Sequence, residues 1–216
     1  MSMEFHDFVE GMRRIGATHE ELKMLIHTSG WDEFVEFPDA PWYVLWYVIH
    51  ARCGRIPRLE SIIARRAETA YEYANRVLRA RFTEGEPAIC QNPWFAYEYA
   101  RSVVRGRWPE GEPVISQHPE WACLYAHYIL RHRWPEAEPV IAKSPEWAYC
   151  YAFDVIGGRW PEAEPRIAEN PWSAFFYARD VIRGRWPEGE AAIARDPFAA
   201  HYYDHAVCRS TNLQRA

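Results

Sequence analysis

The chain has 216 residues, 49% hydrophobic and 25% charged, which is ordinary for a soluble folded protein. Its net charge of −5 at pH 7 argues against a dedicated nucleic-acid-binding protein, because such proteins usually carry a basic excess. No apolar run approaches the length of about 18 residues at which a membrane span is expected. Because the chain contains 11 Trp and 13 Tyr, we expect a core rich in aromatic side chains.

The N-terminal sequence and the cysteines bear on the cellular compartment. The opening sequence MSMEFHDFVEGMRR lacks the basic-then-apolar order of a signal peptide. The cysteines are odd in number and share no CxxC spacing, so thiols in a reducing compartment are favoured over a disulfide framework. We therefore expect a cytoplasmic protein. The thiols are those of Cys53, Cys90, Cys123, Cys150 and Cys208.

The first 40 residues predict a helical segment that differs from the rest of the chain. The spacing of apolar residues predicts a helix over 4–14. Thr18 followed by Glu21 is a capping-box pattern and predicts the start of a second helix over 22–27. Terminal repeats typically differ from internal ones because one side faces water. We interpret residues 1–40 as an N-terminal helical cap.

From residue 41 onward, one segment of 26 residues recurs without a change of length. A fixed period of this kind is typical of a repeat array. We therefore assign residues 41–216 to an array with copies starting at 41, 67, 93, 119, 145, 171 and 197, the last being partial. Two columns define the period: Trp108, Trp134, Trp160 and Trp186 in one, and Tyr47, Tyr73, Tyr99, Tyr125, Tyr151, Tyr177 and Tyr203 in the other.

The first half of each copy predicts a long helix of about 13 residues, a common length. Proline stands at the first helical position, and residues that cap well precede it. Glycine follows the helix and predicts a left-handed stop at Gly54, Gly106, Gly158 and Gly184. In the third copy the predicted buried stripe of this helix is Ala96, Tyr99, Ala100 and Val103.

The second half of each copy predicts a short helix. Two prolines four residues apart cannot both lie inside a helix, so Pro109 is expected in the turn and Pro113 in the first helical turn. The buried side is marked by Ile63, Ile89, Ile115, Ile141, Ile167 and Ile193. No copy buries its own apolar stripe, so copies must stack. The predicted fold is an all-α solenoid of six to seven long-helix/short-helix repeats with an N-terminal helical cap.

The repeated segments resemble a known class of helical repeat. AYEYA (96–100), GRWPEGEP (106–113) and GRWPEAEP (158–165) are similar to the short tandem Tyr-Ala repeats of uncharacterised phage and large-DNA-virus proteins. The likeness covers about residues 41–210, and the general plan is similar to HEAT-type and leucine-rich-variant repeats. The resemblance implies an α-solenoid and a viral origin, and it implies no chemistry.

Two rows of arginine lie near the ends of the long helices. The first is interpreted as an Arg–Glu ladder that ties adjacent copies together, with a phosphate-binding ladder as the alternative. The second, in the last turn of the long helices, complements the helix C-terminus and also makes a basic edge. The first row is Arg55, Arg81, Arg107, Arg133, Arg159 and Arg185. The second row is Arg79, Arg105, Arg131, Arg183 and Arg209.

The positions opposite the Ala/Tyr stripe change identity from copy to copy, and we call them the outer row. A purely solvated face would not need large apolar groups there. These residues either pack on adjacent helices or form a mixed aromatic and charged surface of the kind found at interfaces. The outer-row candidates are Trp94, Glu98, Arg101, Leu124, His127, Phe153, Trp172, Phe176 and Arg179.

No residue pattern predicts catalysis. His201, His205 and Cys208 share one helix face, but a structural zinc site needs four ligands, so we expect no metal and no cofactor. The common nucleophile and nucleotide motifs are missing from the sequence. We expect a non-enzymatic protein that binds a protein partner along one face, and, if viral, acts on or inhibits a host protein in the host cytoplasm. The alternative is a nucleic-acid-binding solenoid that uses the Arg rows. Neither a membrane nor a small-molecule partner is expected.

Overall fold

The computed structural model describes residues 3–52 and 54–208. Within that part of the chain, helices recur as long and short elements with a period of about 26 residues, and no strand is found. The predicted all-α repeat fold is confirmed. The chain divides into two compact units, Met1–Arg105 and Gly106–Ala216, which are described separately. None of the described helices has the length and apolar character needed to cross a membrane.

The first unit contains α1 to α8, and π-helical segments directly extend α6 and α8. Their bounds are α1 Phe5–Arg14, α2 His19–Ile26, α3 Trp31–Phe34, α4 Ala40–His50, α5 Pro57–Ile63, α6 Ala67–Glu72 with Tyr73–Leu78, α7 Glu86–Ile89, and α8 Pro93–Tyr99 with Ala100–Val104.

The second unit contains α9 to α16, in which every long helix has a π-helical extension. Their bounds are α9 Glu112–Ile115, α10 Pro119–Tyr125 with Ala126–Leu130, α11 Glu138–Ile141, α12 Pro145–Tyr151 with Ala152–Ile156, α13 Glu164–Ile167, α14 Pro171–Phe176 with Tyr177–Ile182, α15 Pro187–Ile193, and α16 Pro197–Tyr203 with Asp204–Cys208.

The N-terminal segment forms the predicted helices around an aromatic cluster. The Thr18 N–H donates to Glu21 Oε2 at 2.6 Å, and the Glu21 N–H donates to Thr18 Oγ1 at 3.3 Å, so the capping box is confirmed. The helix it opens starts at His19, earlier than predicted. The Phe8 ring packs against Tyr47 of α4 with centroids 5.0 Å apart. The first tyrosine of the repeat column is thereby joined to the N-terminal segment.

Each long helix of the second unit changes from α-helical to π-helical at, or directly after, the tyrosine that recurs every 26 residues. In α14 and its extension, the Arg183 and Gly184 N–H groups both donate to the Ala178 carbonyl, five and six residues back. A π turn holds more residues than an α turn. The side chains that follow the start of the π segment therefore point in directions that differ from those in a continuous α-helix. The predicted buried stripe is therefore wrong at its last position. Val103 is only half-buried, whereas Tyr99 and Ala100 before it are fully buried.

The left-handed stop lies one residue earlier than predicted at most copies. Gly54 has φ +69°, as expected, but Gly106, Gly158 and Gly184 do not have positive φ. The residue one position before this glycine column, where Ala80 and His132 stand in two copies, closes the π turn with its N–H group and takes the left-handed conformation. Those residues are Arg79 (φ +51°), Arg105 (+59°), Arg131 (+60°), Gly157 (+69°) and Arg183 (+57°).

The second Arg row is therefore misplaced in the sequence prediction. Its members follow the last helical turn and do not lie within it. In the fifth copy the equivalent position is occupied by Gly157 and not by arginine. Arg209 lies outside the described residues.

The short helices have two lengths, and the second proline decides between them. Where it is present, as at Pro113, the helix is a single turn, Glu112–Ile115, with Pro109 in the preceding turn as predicted. Where Ser61 or Ala191 replaces it, the helix begins at the first proline and runs for 7 residues. A backbone N–H and a smaller side chain allow this extension, since a proline inside the helix would break it. The isoleucine column is buried in all six copies, as predicted.

The left-handed position allows a matched pair of variants within the second unit. An L-residue in this conformation costs roughly 1 kcal/mol relative to glycine. We expect Gly157→Ala to lower the free energy of unfolding by about 1 kcal/mol, and Arg131→Gly to raise it by up to about 1 kcal/mol. Urea denaturation of the two variants measures both changes. Equal, near-zero changes would show that the conformation costs nothing in this array.

Candidate functional site

Each repeat is joined to the next by one buried tyrosine hydroxyl. Tyr125 Oη accepts a hydrogen bond of 2.7 Å from the Trp108 backbone N–H and donates one of 3.1 Å to Glu112 Oε1. Arg107 in turn donates to both oxygens of Glu112, at 2.7 and 3.1 Å. Because Tyr125 lies 17 residues after Trp108, it reaches back into the turn of the preceding copy. We call this arrangement the Tyr–Glu–Arg cluster.

The Tyr–Glu–Arg cluster recurs in both units with the same atoms and nearly the same distances. In the first unit, Tyr99 Oη accepts from the Phe82 N–H at 2.7 Å and donates to Glu86 at 2.8 Å. In the second unit, Tyr151 Oη accepts from the Trp134 N–H at 2.6 Å and donates to Glu138 at 2.9 Å. The further clusters are Arg55–Glu60–Tyr73, Arg159–Glu164–Tyr177 and Arg185–Glu190–Tyr203.

In four of the clusters the pKa of the carboxylate is lowered, which favours its charged form. Hydrogen bonding by Arg133 lowers the pKa of Glu138, burial opposes this effect, and the Tyr151 hydroxyl adds to the lowering. At Glu60, burial raises the pKa, but the hydrogen bonds from Arg55 and Tyr73 outweigh it and the pKa is lowered. A buried charge is tolerated only when it is paired and hydrogen-bonded, and both conditions are met here.

The first Arg row therefore has a structural role, but not in the predicted form. Each arginine pairs with a glutamate five residues later in the same copy, so the ion pair itself does not cross between copies. The hydrogen bond that crosses is the one made by tyrosine. The charge of the next copy contributes at longer range, because Glu136 adds to the raised pKa of Arg107 after the larger effects of Glu112.

The tyrosine rings of the clusters pack at tilted angles against the tryptophan rings of the following turn. Tyr125 and Trp134 have centroids 5.1 Å apart at an interplanar angle of 41°, and Tyr177 and Trp186 are 4.9 Å apart at 52°. Such tilted pairs add to the energy of area burial. The tyrosine column is thus buried by its ring and satisfied at its hydroxyl, which explains why tyrosine recurs and phenylalanine does not.

The outer-row residues of the first unit form an exposed aromatic next to an ion pair. Trp94 is 43% exposed, and its ring packs at a tilted angle against Phe95 with centroids 4.5 Å apart. Arg101 Nη2 donates to Glu98 Oε2 at 2.9 Å, and its guanidinium lies 5.9 Å from the Tyr97 ring centroid. The three predicted residues therefore lie on neighbouring turns of α8 and its extension.

In the second unit the outer row is partly packed and partly exposed. Leu124 and His127 are half-buried, and the His127 ring Nδ1 lies 3.3 Å from the Asp154 carbonyl oxygen of the next copy. Phe153 is 46% exposed and stacks on Tyr149 at 6.2 Å. Within this row, some residues therefore contact the neighbouring copy and others are exposed to solvent.

An aromatic cluster around Arg179 connects the last three copies. The Arg179 guanidinium lies 4.9 Å from the Phe176 centroid and pairs with both oxygens of Asp180, at 2.6 and 2.8 Å. Tyr149 stacks on Phe176 at 5.7 Å and donates its hydroxyl to Asp180 Oδ2 at 2.7 Å. Trp172 packs on Phe176 at 5.8 Å. Hydrogen bonding by Arg179 lowers the pKa of Asp180, so this carboxylate is charged and already fully engaged.

Sequence reasoning missed several members of this surface. Tyr149 and Phe175 belong to a column with Tyr71 and Tyr97, so the 26-residue step contained the signal that identifies them. Tyr202 is 52% exposed and packs 6.0 Å from Trp172. Its exposure has no sequence signal, because it follows from the position of α16 as the last described long helix.

The metal candidates are only partly described. The His201 and His205 rings lie 4.5 Å apart by their centroids, and the side chain of Cys208 lies outside the described residues. Over residues 3–52 and 54–208, no group of three His, Cys, Asp or Glu side chains is arranged to hold a metal ion. Cys123 and Cys150 are free thiols, and burial raises the pKa of Cys150 to about 11.

Compared with known proteins, the chain matches no family model, no curated protein and no solved structure. The functional argument therefore rests on the residues of this chain.

The hydroxyl of the tyrosine column can be tested apart from its ring. Tyr125→Ala removes a fully buried aromatic side chain and should lower the free energy of unfolding by roughly 3–5 kcal/mol. Tyr125→Phe keeps the ring but leaves the Trp108 N–H without its acceptor, and should cost about 1–3 kcal/mol. Denaturant unfolding compares the two variants. A Tyr125→Phe variant as stable as the parent protein would contradict the role given to the hydroxyl.

The cluster also predicts how stability varies with pH. Burial is the largest cause of the raised pKa of the cluster tyrosines, so they stay neutral when the unfolded chain ionises at about pH 10. Stability is therefore complete below pH 10 and is lost as pH rises above it. The lowered pKa of Glu60, Glu86, Glu138 and Glu164 has the opposite effect, so stability also falls as pH drops below about 4.

Tyrosinate absorbance and helical circular dichroism, followed together as the pH is raised, measure the loss of stability above pH 10. We expect a late phase of tyrosinate formation that coincides with loss of helix and becomes smaller in Tyr125→Phe. Complete ionisation near pH 10 with the helices intact would contradict the buried cluster.

Proposed function

We propose that this chain is a non-enzymatic helical repeat protein that binds a protein partner through its outer row. The observation that carries the proposal is the contrast between columns. The tyrosine column is identical from copy to copy and buried, whereas the outer row varies and keeps large aromatic side chains in water. Trp94 and Phe153 are 43% and 46% exposed. Exposed aromatic groups rimmed by charge are typical of interaction surfaces.

The Arg179 cluster supports this proposal because its side chains are already ordered. Arg179 is fixed by Asp180 and by the Phe176 ring, and Asp180 is fixed by Tyr149. Side chains that are ordered before binding lose less conformational entropy when a partner docks. Tryptophan, tyrosine and arginine are also the residues that most often dominate interface energies.

The resemblance to viral repeats gives the proposal a more specific form. In that form the partner is a host protein and the chain acts on it or inhibits it. The exposed outer row is compatible with such a role, since repeat arrays generally bind along an extended surface.

Nucleic-acid binding is the second candidate, and the second Arg row supports it. Arg79, Arg105, Arg131 and Arg183 are exposed, and no described carboxylate lies within ion-pair distance of any of them. They keep a left-handed conformation that glycine would adopt at lower cost, as Gly157 does. Strained residues retained in this way often serve a function. The glutamates in the turns carry negative charge that would repel a nucleic acid. Nucleic-acid binding is therefore the second candidate.

One capture experiment separates the two candidates. The tagged chain and its Trp94→Ala/Phe153→Ala variant are incubated with host lysate, with and without nuclease, and bound proteins are identified by mass spectrometry. We expect specific partners that survive nuclease and are lost from the variant, while the variant keeps its helical circular dichroism because both side chains are partly exposed.

The control is Arg131→Ala, which leaves the outer row intact. Partners that are lost on nuclease treatment and reduced in Arg131→Ala would favour the nucleic-acid candidate. Partners retained equally by all variants would show that the outer row is not the binding surface.

A further inference from the structure

The fifth copy departs from the repeat at two positions that lie one turn apart. Phe153 occupies the position that Arg101, His127 and Arg179 occupy in the third, fourth and sixth copies. Gly157 stands where they have a left-handed arginine, such as Arg131. Both changes remove a cationic or polar side chain from the same end of the same long helix.

A groove of about 300 Å³ opens at this place. Phe153, Gly157 and Gly158 form one side, and Asp180, Val181 and Arg183 of the next copy form the other. A Cβ atom added to Gly157 would meet no atom within 4 Å, so the missing side chain leaves open space. The volume lies at the lower limit for a small-molecule site but is sufficient for one large side chain of a partner.

The charges around the groove are unequal. Asp180 is paired with Arg179 and hydrogen-bonded by Tyr149, so it has little capacity for a further cation. Arg183 donates only weakly, through Nε, to the Asp180 carbonyl at 3.5 Å, and no described carboxylate pairs with it. The groove therefore combines an exposed aromatic wall with one unpaired guanidinium, which favours an apolar group next to an anion.

We propose that this groove is the anchor pocket for a protein segment in which a large apolar side chain is followed closely by Asp or Glu. The apolar side chain covers Phe153, and the carboxylate pairs with Arg183. The inference rests on the proposed protein-binding function and specifies where on the outer row the partner is held. Desolvated pockets that accept one aromatic or aliphatic anchor commonly provide most of an interface's energy.

The array itself provides the most informative variant. Gly157→Arg restores the residue found at this position in other copies, where Arg79, Arg105, Arg131 and Arg183 already adopt the required left-handed conformation. The variant should therefore fold while its new side chain fills the groove. Arg131→Gly is the matched control, since it makes the reverse change in a copy that has His127 in place of Phe153.

The probe is a displayed library of random peptides selected on the full chain. We expect selected peptides to share a large apolar residue followed within a few positions by Asp or Glu. Measured by fluorescence anisotropy, their affinity should fall at least about ten-fold with Gly157→Arg and stay unchanged with Arg131→Gly. Arg183→Ala should weaken them about ten-fold, and replacing the peptide's Asp by Asn should then cause little further loss, because that pair would already be broken.

Each outcome has a definite meaning. Peptides without the acidic residue, or peptides that bind Gly157→Arg as well as the parent chain, would overturn the groove assignment, as would failure to select any peptide. If selected peptides ignore Gly157→Arg but are lost with Trp94→Ala, the groove fails while protein binding through the outer row stands. Circular dichroism of each variant establishes that a loss of binding is not a loss of fold.

Discussion

A single buried hydroxyl per repeat joins this array together. It accepts from a backbone N–H group in the preceding turn and donates to a glutamate whose charge an arginine balances. An unpaired buried N–H or carboxylate would cost free energy, and here each group satisfies the other. The turn is thereby fixed relative to the next long helix. The hydroxyl holds the backbone of Trp108 in the preceding turn, for example, while the Tyr125 ring packs on Trp134 of its own copy.

Because the tyrosine column provides the contact between copies, the opposite side of each long helix is free to vary. It varies toward large aromatic groups and not toward uniform polarity, with Trp94 and Phe153 partly in water. The π-helical extension also matters for this side, since it changes the direction of the last residues of the helix and places an arginine in the left-handed conformation. In the fifth copy the arginine is absent, and a groove takes its place.

The period and its columns made most of the fold predictable from the sequence. Proline, capping and isoleucine positions are local and periodic, so Asn92, Pro113 and Ile115 lie where they were predicted. The π-helical turn was not predictable, because α and π turns share the same side chains and differ only in which carbonyl is used. That difference moved the left-handed stop from Gly184 to Arg183 and turned Val103 partly outward. The hydrogen bond from Tyr125 to Glu112 was likewise not predictable, because this tyrosine belongs to the next copy.

Two deletions test the register most directly. Removing 119–144 takes out one whole period and brings Tyr151 to 17 residues after Trp108, the separation found in every cluster. Removing 119–131 takes out Tyr125 but keeps the following turn, so Glu112 loses its tyrosine. Thermal unfolding by circular dichroism should show a single cooperative transition for the first deletion and a broad, low-temperature loss of helix for the second. Equal behaviour of the two deletions would contradict repeat stacking through the tyrosine column.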